Sequence, residues 1–278
     1  MAYLRPHSIE EAVGALAARP LIVLAGGTDH FPARVGPRAE EDILDISAIA
    51  EMRGIAEDDR GWRIGALTTW TTVAQADLPP LFDGLKLAAR EVGGAQIQNR
   101  GTVGGNLCNA SPAADGIPPL LSLDAQVELV SAAGPRRMPL ADFVQGNRRT
   151  ARRGDELLRA IYVPRPGHLA RGDFLKLGAR RYLVISIAMA AGVIERTGEN
   201  TVAAARIAVG ACSASAQRLP ALEHAMLGTP IDKSLAMRVT PAQLDALAPI
   251  DDIRGSGAYR REAALTLVRR LVGRLAAA

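Results

Sequence analysis

Hydrophobic and polar positions switch between two periods along this chain, and the switches mark out its elements. Ser8-Ile9-Glu10-Glu11 reads as a capping box, in which the Ser8 hydroxyl takes the Glu11 N–H and Glu11 reaches back. Ala12, Ala15 and Leu16 follow at helical spacing, and Pro20 ends the run. Leu21-Ile22-Val23-Leu24 is a short continuous apolar run and predicts a buried strand, as does Asp42-Ile43-Leu44-Asp45-Ile46. Arg63-Ile64-Gly65-Ala66-Leu67-Thr68-Thr69 predicts a strand opening a new unit, with short helices over residues 71–76 and 85–92. Residues 115–123 read as a helix with Pro118 and Pro119 in its first turn, where a missing N–H is tolerated. Val127-Glu128-Leu129-Val130 alternates like a strand, whereas residues 134–139 read as a turn-rich connection.

Further strands are predicted over residues 157–163, 174–177 and 202–209, and a helix over 219–227. Pro164-Arg165-Pro166-Gly167 is rich in breakers and is the expected domain boundary. The last element, residues 259–277, is a long helix carrying Ala263, Leu267, Leu271 and Leu275 on one face. The order is mixed α and β, without the regular βαβ alternation of a doubly wound sheet, and no fixed-period repeat is present.

Composition changes this picture only a little. With 278 residues, 48% of them hydrophobic, the chain can bury a sizeable core in about two domains. Aromatics are only 4%, so that core must be built from Ala, Val, Leu and Ile. The net charge of +4 comes without a long basic run or interleaved aromatics, which argues against nucleic acid as a partner. Arg136, Arg137, Arg148, Arg149, Arg152 and Arg153 cluster around Phe143; solvated loops are the ordinary reading and a docking surface the alternative.

Two cysteines, Cys108 and Cys212, without a C-x-x-C motif, exclude a disulfide framework and any iron–sulfur cluster held by this chain alone. His7, His30, His168 and His224 have no metal-ligand spacing. The start of the chain lacks a signal-peptide apolar run and no stretch is long enough to span a bilayer, so a cytoplasmic, non-membrane protein is expected.

The candidate chemistry lies in two glycine-rich motifs, Val23-Leu24-Ala25-Gly26-Gly27-Thr28-Asp29 and Asn99-Arg100-Gly101-Thr102-Val103-Gly104-Gly105-Asn106. Without a Cβ, glycine lets backbone N–H groups turn inward and approach a ligand, and successive inward N–H groups make an anion nest. Neither motif is a P-loop or a G-x-G-x-x-G fingerprint. Each alone reads as a tight turn; two together suggest a diphosphate held from both sides. Thr28 adds a hydroxyl and Asn106 an amide. Asp115 is either a helix N-cap or an acceptor for ribitol or ribose hydroxyls. Lys176 is either a solvated lysine or a point charge for cofactor oxygens.

The stretch from Gln96-Ile97-Gln98-Asn99-Arg100 through Leu107-Cys108-Asn109-Ala110-Ser111-Pro112-Ala113-Ala114-Asp115 closely resembles the second FAD motif of the medium subunits of molybdenum hydroxylases, the xanthine dehydrogenase and carbon monoxide dehydrogenase type. Ala25-Gly26-Gly27-Thr28-Asp29 resembles their first motif, and Phe174-Leu175-Lys176-Leu177-Gly178-Ala179-Arg180-Arg181 the opening of their C-terminal domain.

That resemblance implies a vanillyl-alcohol-oxidase-like (PCMH-type) FAD-binding fold of two α/β subdomains, residues 1–58 and 59–166, plus a C-terminal α+β domain, residues 167–278. It implies that Leu24, Ala25, Gly26, Gly27, Thr28, Asp29 and His30 wrap the FAD diphosphate from one side, and Thr102, Gly104, Gly105 and Asn106 from the other. It gives Asp115, Leu158 and Lys176 as further cofactor contacts, and no catalytic side chain.

By the same resemblance, the chain relays electrons to an external acceptor. They come from [2Fe–2S] clusters on a small subunit fed by a molybdopterin-binding large subunit, in an (αβγ)2 assembly. A self-contained FAD-dependent oxidoreductase is the alternative. His30-Phe31 and Val184-Ile185-Ser186 depart from the family pattern, which has an aliphatic pair and often an Asp at these places.

Overall fold

The computed structural model describes residues 2–32 and 41–277. The chain opens with β1 (Tyr3–Leu4), α1 (Ile9–Ala18), β2 (Ile22–Leu24) and β3 (Ile43–Asp45). Both β1 and β2 pair in parallel with β3. Helix α1 starts where the Ser8 hydroxyl accepts the Glu11 N–H at 3.1 Å, as predicted. Glu11 reaches one residue further back than a capping box requires, accepting from the His7 N–H at 2.8 Å. The helix buries Ile9, Ala12, Val13 and Leu16.

A second unit begins with the hairpin β4 (Ile55–Asp58) and β5 (Gly61–Gly65). The expected break between residues 58 and 59 therefore falls inside a hairpin rather than between units. Five helices follow: α2 (Trp70–Gln75), α3 (Asp83–Glu91), α4 (Ala95–Arg100), α5 (Val103–Asn109) and α6 (Ile117–Ser122). The chain then forms β6 (Gln126–Ser131), β7 (Gly134–Pro139), α7 (Leu140–Phe143), the small hairpin β8 (Val144–Gly146) and β9 (Arg149–Thr150), and β10 (Leu157–Pro164). The antiparallel sheet has the order β4-β5-β10-β6-β7. Strand β7 replaces the predicted turn-rich connection. It lies at the sheet edge, where Pro135 and Pro139 cost no ladder hydrogen bond on the open side.

The third unit is an antiparallel sheet in chain order, β11 (Leu169–Leu177), β12 (Ala188–Arg196), β13 (Val202–Gly210) and β14 (Gln217–Arg218), with α8 (Pro220–Met226) and α9 (Gly257–Ala277). As predicted, α9 buries Ala263, Leu267, Leu271 and Leu275. Each leucine so buried contributes about 2 kcal/mol. Gly192 in β12 lets the helix close on the sheet, since a Cβ there would sit 3.1 Å from Leu271 Cδ2 and 3.3 Å from Leu275 Cδ1.

One apolar core runs from α1 through β10, and a second lies beneath α9. Between the units, the Glu195 carboxylate accepts the Gly167 and His168 N–H groups at 3.2 and 3.3 Å and pairs with Arg206 at 2.7 Å. Arg206 in turn donates to the Ser122 carbonyl at the end of α6. The breaker-rich link at 164–167 is thus fixed by a buried carboxylate. Among the described residues no helix is long and apolar enough to cross a membrane.

Candidate functional site

The two glycine-rich motifs touch. The first leaves β2 and turns at Gly27, whose φ of 71° lies in the left-handed region that favours glycine. Gly26 is required for a different reason: a Cβ there would stand 2.0 Å from the Arg100 carbonyl oxygen in the second motif. Gly101 approaches from the other side, its Cβ position 3.5 Å from Thr28 Oγ1. Asn109, at the end of α5, donates its side-chain amide to the Asp29 carboxylate. The amides of Gly26, Gly27 and Thr28 make no hydrogen bond among the described residues, which leaves an open row of donors.

The second motif has a different form from the predicted loop. Gly104 and Gly105 sit in the first turn of α5, with Thr102 as N-cap. The Gly105 N–H donates to Thr102 Oγ1 at 3.0 Å, the Gly104 N–H to the Ala66 carbonyl at 2.8 Å and the Val103 N–H to the Thr68 carbonyl at 2.9 Å. The backbone donors predicted here are therefore spent inside the protein. What the motif offers is a bare surface at Gly105, where a Cβ would meet only Thr102 Oγ1, and the Asn106 side chain. Asn106 Oδ1 is buried without a hydrogen-bond partner.

Both motifs line one cleft of about 1060 Å³, at the upper end of the usual range for small-molecule sites, about 300–1,000 Å³. Residues 24–30, with Thr102, Gly104, Gly105, Asn106 and Leu158, all lie along it. So do residues that sequence reasoning did not assign to the site. Trp70, 1% exposed, carries no sequence signal; Arg148 and Arg149 belong to the basic cluster around Phe143. Cys108 also lines the cleft, and burial pushes its thiol up to about 11.

Asp115 and Lys176 do not line the cleft. They form a buried ion pair at 2.7 Å between the start of α6 and β11. Ser186 donates to the other Asp115 oxygen at 2.6 Å, and Lys176 also reaches the Glu91 carbonyl at 3.3 Å. Burial pushes the Asp115 carboxyl above its ordinary range, and the Lys176 ammonium and Ser186 hydroxyl oppose that. Asp115 is no N-cap, since α6 begins after Gly116 without a side-chain cap. Each of its oxygens accepts one hydrogen bond within the chain. The pair stands directly behind the cleft wall: a Cβ on the neighbouring Gly116 would lie 2.8 Å from Asn106 Oδ1.

Free amides on one side, an unpartnered amide side chain and bare glycine surface on the other, and apolar walls at Leu24 and Leu158 suit a dinucleotide with a flat ring system. Among the described residues no group of three or more His, Cys, Asp or Glu could hold a metal. This donor set suits a cofactor that carries a diphosphate.

Residues 1–166 match the family model described as FAD binding domain in molybdopterin dehydrogenase. Residues 173–275 match that described as CO dehydrogenase flavoprotein C-terminal domain. The chain is 29% identical over 278 residues to the nicotinate dehydrogenase FAD-subunit of Eubacterium barkeri, covering 97% of this chain and 94% of that protein. It is 32% identical over 284 residues to the carbon monoxide dehydrogenase medium chain of Afipia carboxidovorans, covering 98% and 95%. In structure it is similar to a chain of the reconstituted CO dehydrogenase from Oligotropha carboxidovorans, with a TM-score of 0.90, 29% identity, and 100% and 98% of the two chains covered.

The chain belongs to the family of FAD-binding medium subunits of molybdenum hydroxylase-type dehydrogenases. It has the PCMH-type FAD-binding fold plus a C-terminal domain, its cofactor is FAD, and it is an FAD-dependent oxidoreductase subunit.

Proposed function

We propose that this chain is the electron-transfer subunit of a molybdenum hydroxylase complex. It receives electrons from [2Fe–2S] clusters on a small partner subunit and passes them to an external acceptor. A molybdopterin-binding large subunit oxidises the organic substrate, and the assembly is (αβγ)2. The observation that carries this reading is the single cleft closed by both motifs, with a free amide row at Gly26, Gly27 and Thr28.

The amides of residues 25–28 hold the diphosphate, with His30 and Asp29 at the rim. Thr102 braces α5, so that Gly104, Gly105 and Asn106 form the facing wall. The unpartnered Asn106 Oδ1 accepts from a ribityl hydroxyl, and Leu24 and Leu158 exclude water. Asp115 and Lys176 act from behind by fixing the wall. When bound, FAD supplies both one-electron and two-electron redox chemistry, while the protein binds and orients it. We further divide the chain at the start of β4 and at the 164–167 link, and assign it to the cytoplasm, where the free thiols of Cys108 and Cys212 stay reduced.

Purifying the chain with its native partners and assaying flavin, iron and molybdenum tests this reading. Co-purification of all three supports it. An isolated FAD-loaded chain whose flavin is reduced by an organic substrate without any partner overturns it.

A further inference from the structure

The charged lining of the cleft is sparse. Among the described residues, the acids are Asp29 and Glu41, and the cations are Arg148, Arg149 and Arg152. Residues 24–30 and 102–106 contain no lysine or arginine, and Lys176 is spent on Asp115. Arg152 is also committed, its Nη1 donating to the carbonyls of Glu156 at 2.7 Å and Arg153 at 3.1 Å. The guanidinium groups of Arg148 and Arg149 are exposed at the cleft and make no hydrogen bond or ion pair among the described residues.

The backbone that presents them is unusual. The register of the β8–β9 hairpin, Gly146 opposite Arg149, puts Asn147 and Arg148 at its tip. Arg148 has a φ of 54°, in the left-handed region where such turns favour glycine. The tip is anchored, because the Arg148 N–H donates to the Asn109 carbonyl at 3.2 Å. Asn109 is also the residue whose side chain holds Asp29. Asn109 therefore links the hairpin tip, with its two uncommitted cations, to the end of α5 and the first glycine motif.

We propose that Arg148 and Arg149 supply the counter-charge for the diphosphate of the bound dinucleotide. The inference rests on the reading of the cleft as the FAD site. The amide row of the first motif gives the diphosphate geometry but only partial charges, and the arginines add full ones. Because both are exposed, their contribution is screened by salt. FAD affinity then falls as salt rises, whereas affinity for riboflavin, which lacks phosphate, does not.

The test is the FAD dissociation constant, read from flavin fluorescence at low and high salt, with riboflavin as the phosphate-free probe. The variants are R148Q/R149Q, R148K/R149K and R148G. R148Q/R149Q binds FAD about tenfold more weakly at low salt, loses most of the salt dependence and leaves riboflavin affinity unchanged. R148K/R149K keeps affinity close to wild type, because charge rather than fork geometry is at work. R148G relieves the turn, so its apo melting temperature is unchanged or higher while FAD affinity falls.

Wild-type affinity and salt dependence in a folded R148Q/R149Q, beside a wild-type chain that does bind FAD, overturns the proposal and leaves the FAD reading standing. So does R148K/R149K losing as much as R148Q/R149Q. A folded wild-type chain that binds no FAD overturns the FAD reading itself.

Discussion

The side-chain amide of Asn109 donates to the carboxylate of Asp29 across 80 positions of sequence, joining the two glycine-rich motifs at the mouth of the cleft. The bond is exposed, so it sets geometry more than stability. Asn109→Ala frees the first motif and weakens FAD binding about fivefold, the equivalent of about 1 kcal/mol. The melting temperature of the apo chain changes little. A fluorescence titration beside a thermal melt separates the two effects, and equal affinity in the variant would remove this contact from the account.

Gly26 and Gly105 differ in what a methyl group would strike. At Gly26 it meets the Arg100 carbonyl at 2.0 Å, so the two motifs must separate. Gly26→Ala costs about 1–3 kcal/mol of binding, roughly tenfold to a hundredfold, with far-UV circular dichroism intact. At Gly105 the nearest atom among the described residues is Thr102 Oγ1 at 2.9 Å, and the methyl projects at the cleft wall. Gly105→Ala crowds the Thr102 cap, lowers stability by about 1 kcal/mol as read from the urea midpoint, and lowers FAD affinity. Loss of stability without loss of affinity in either variant would make these glycines packing residues only.

The Lys176–Asp115 pair is sealed, with side chains 7% and 9% exposed. Lys176→Met strands a buried carboxylate and costs about 3 kcal/mol, read as a lower urea midpoint. Adding Asp115→Leu restores most of that loss, because two apolar side chains need no partner. If Lys176→Met costs less than about 1 kcal/mol, the pair does not brace the wall behind Asn106.

How much of this was legible in the sequence depended on whether the signal was local. The start of α1 and the face of α9 followed from Ser8, Glu11 and the spaced leucines 267, 271 and 275. Strand β12 gave no sign, because residues 188–195 are all buried and alanine-rich and so lack alternation. Strand β7 was masked by its glycine and prolines, whose cost vanishes at a sheet edge. The glycines of the second motif read as a loop, but Thr102 caps a helix through them. Twelve of the fourteen candidate site residues line the cleft. The other two, Asp115 and Lys176, turned to each other, a pairing across 61 positions that no local pattern encodes.

Acid tests a second brace, at the base of α9. Asp252 accepts from the Arg254 N–H at 2.7 Å and pairs with Arg260 at 2.6 Å, and these hold its carboxyl down to about 2 from 3.8. Its stabilising contribution is complete above the unfolded value and is lost as pH falls from about 3.8 to about 2. Arg260 is 3% exposed and donates to the Ile187 carbonyl, so Asp252→Asn unsettles the junction of α9 with β12. Thermal melts show the variant below wild type at pH 5–7, with the gap closing toward pH 2. A gap that is constant with pH would mean that the charge of Asp252 plays no part.

If the two motifs form one FAD site, equilibrium dialysis of the apo chain against FAD reads that site out without any partner subunit. The wild-type chain retains about one FAD, and a folded Gly26→Ala chain far less under the same conditions. A folded wild-type chain that retains no flavin, or a Gly26→Ala chain that retains as much as wild type, would contradict a site shared by the two motifs.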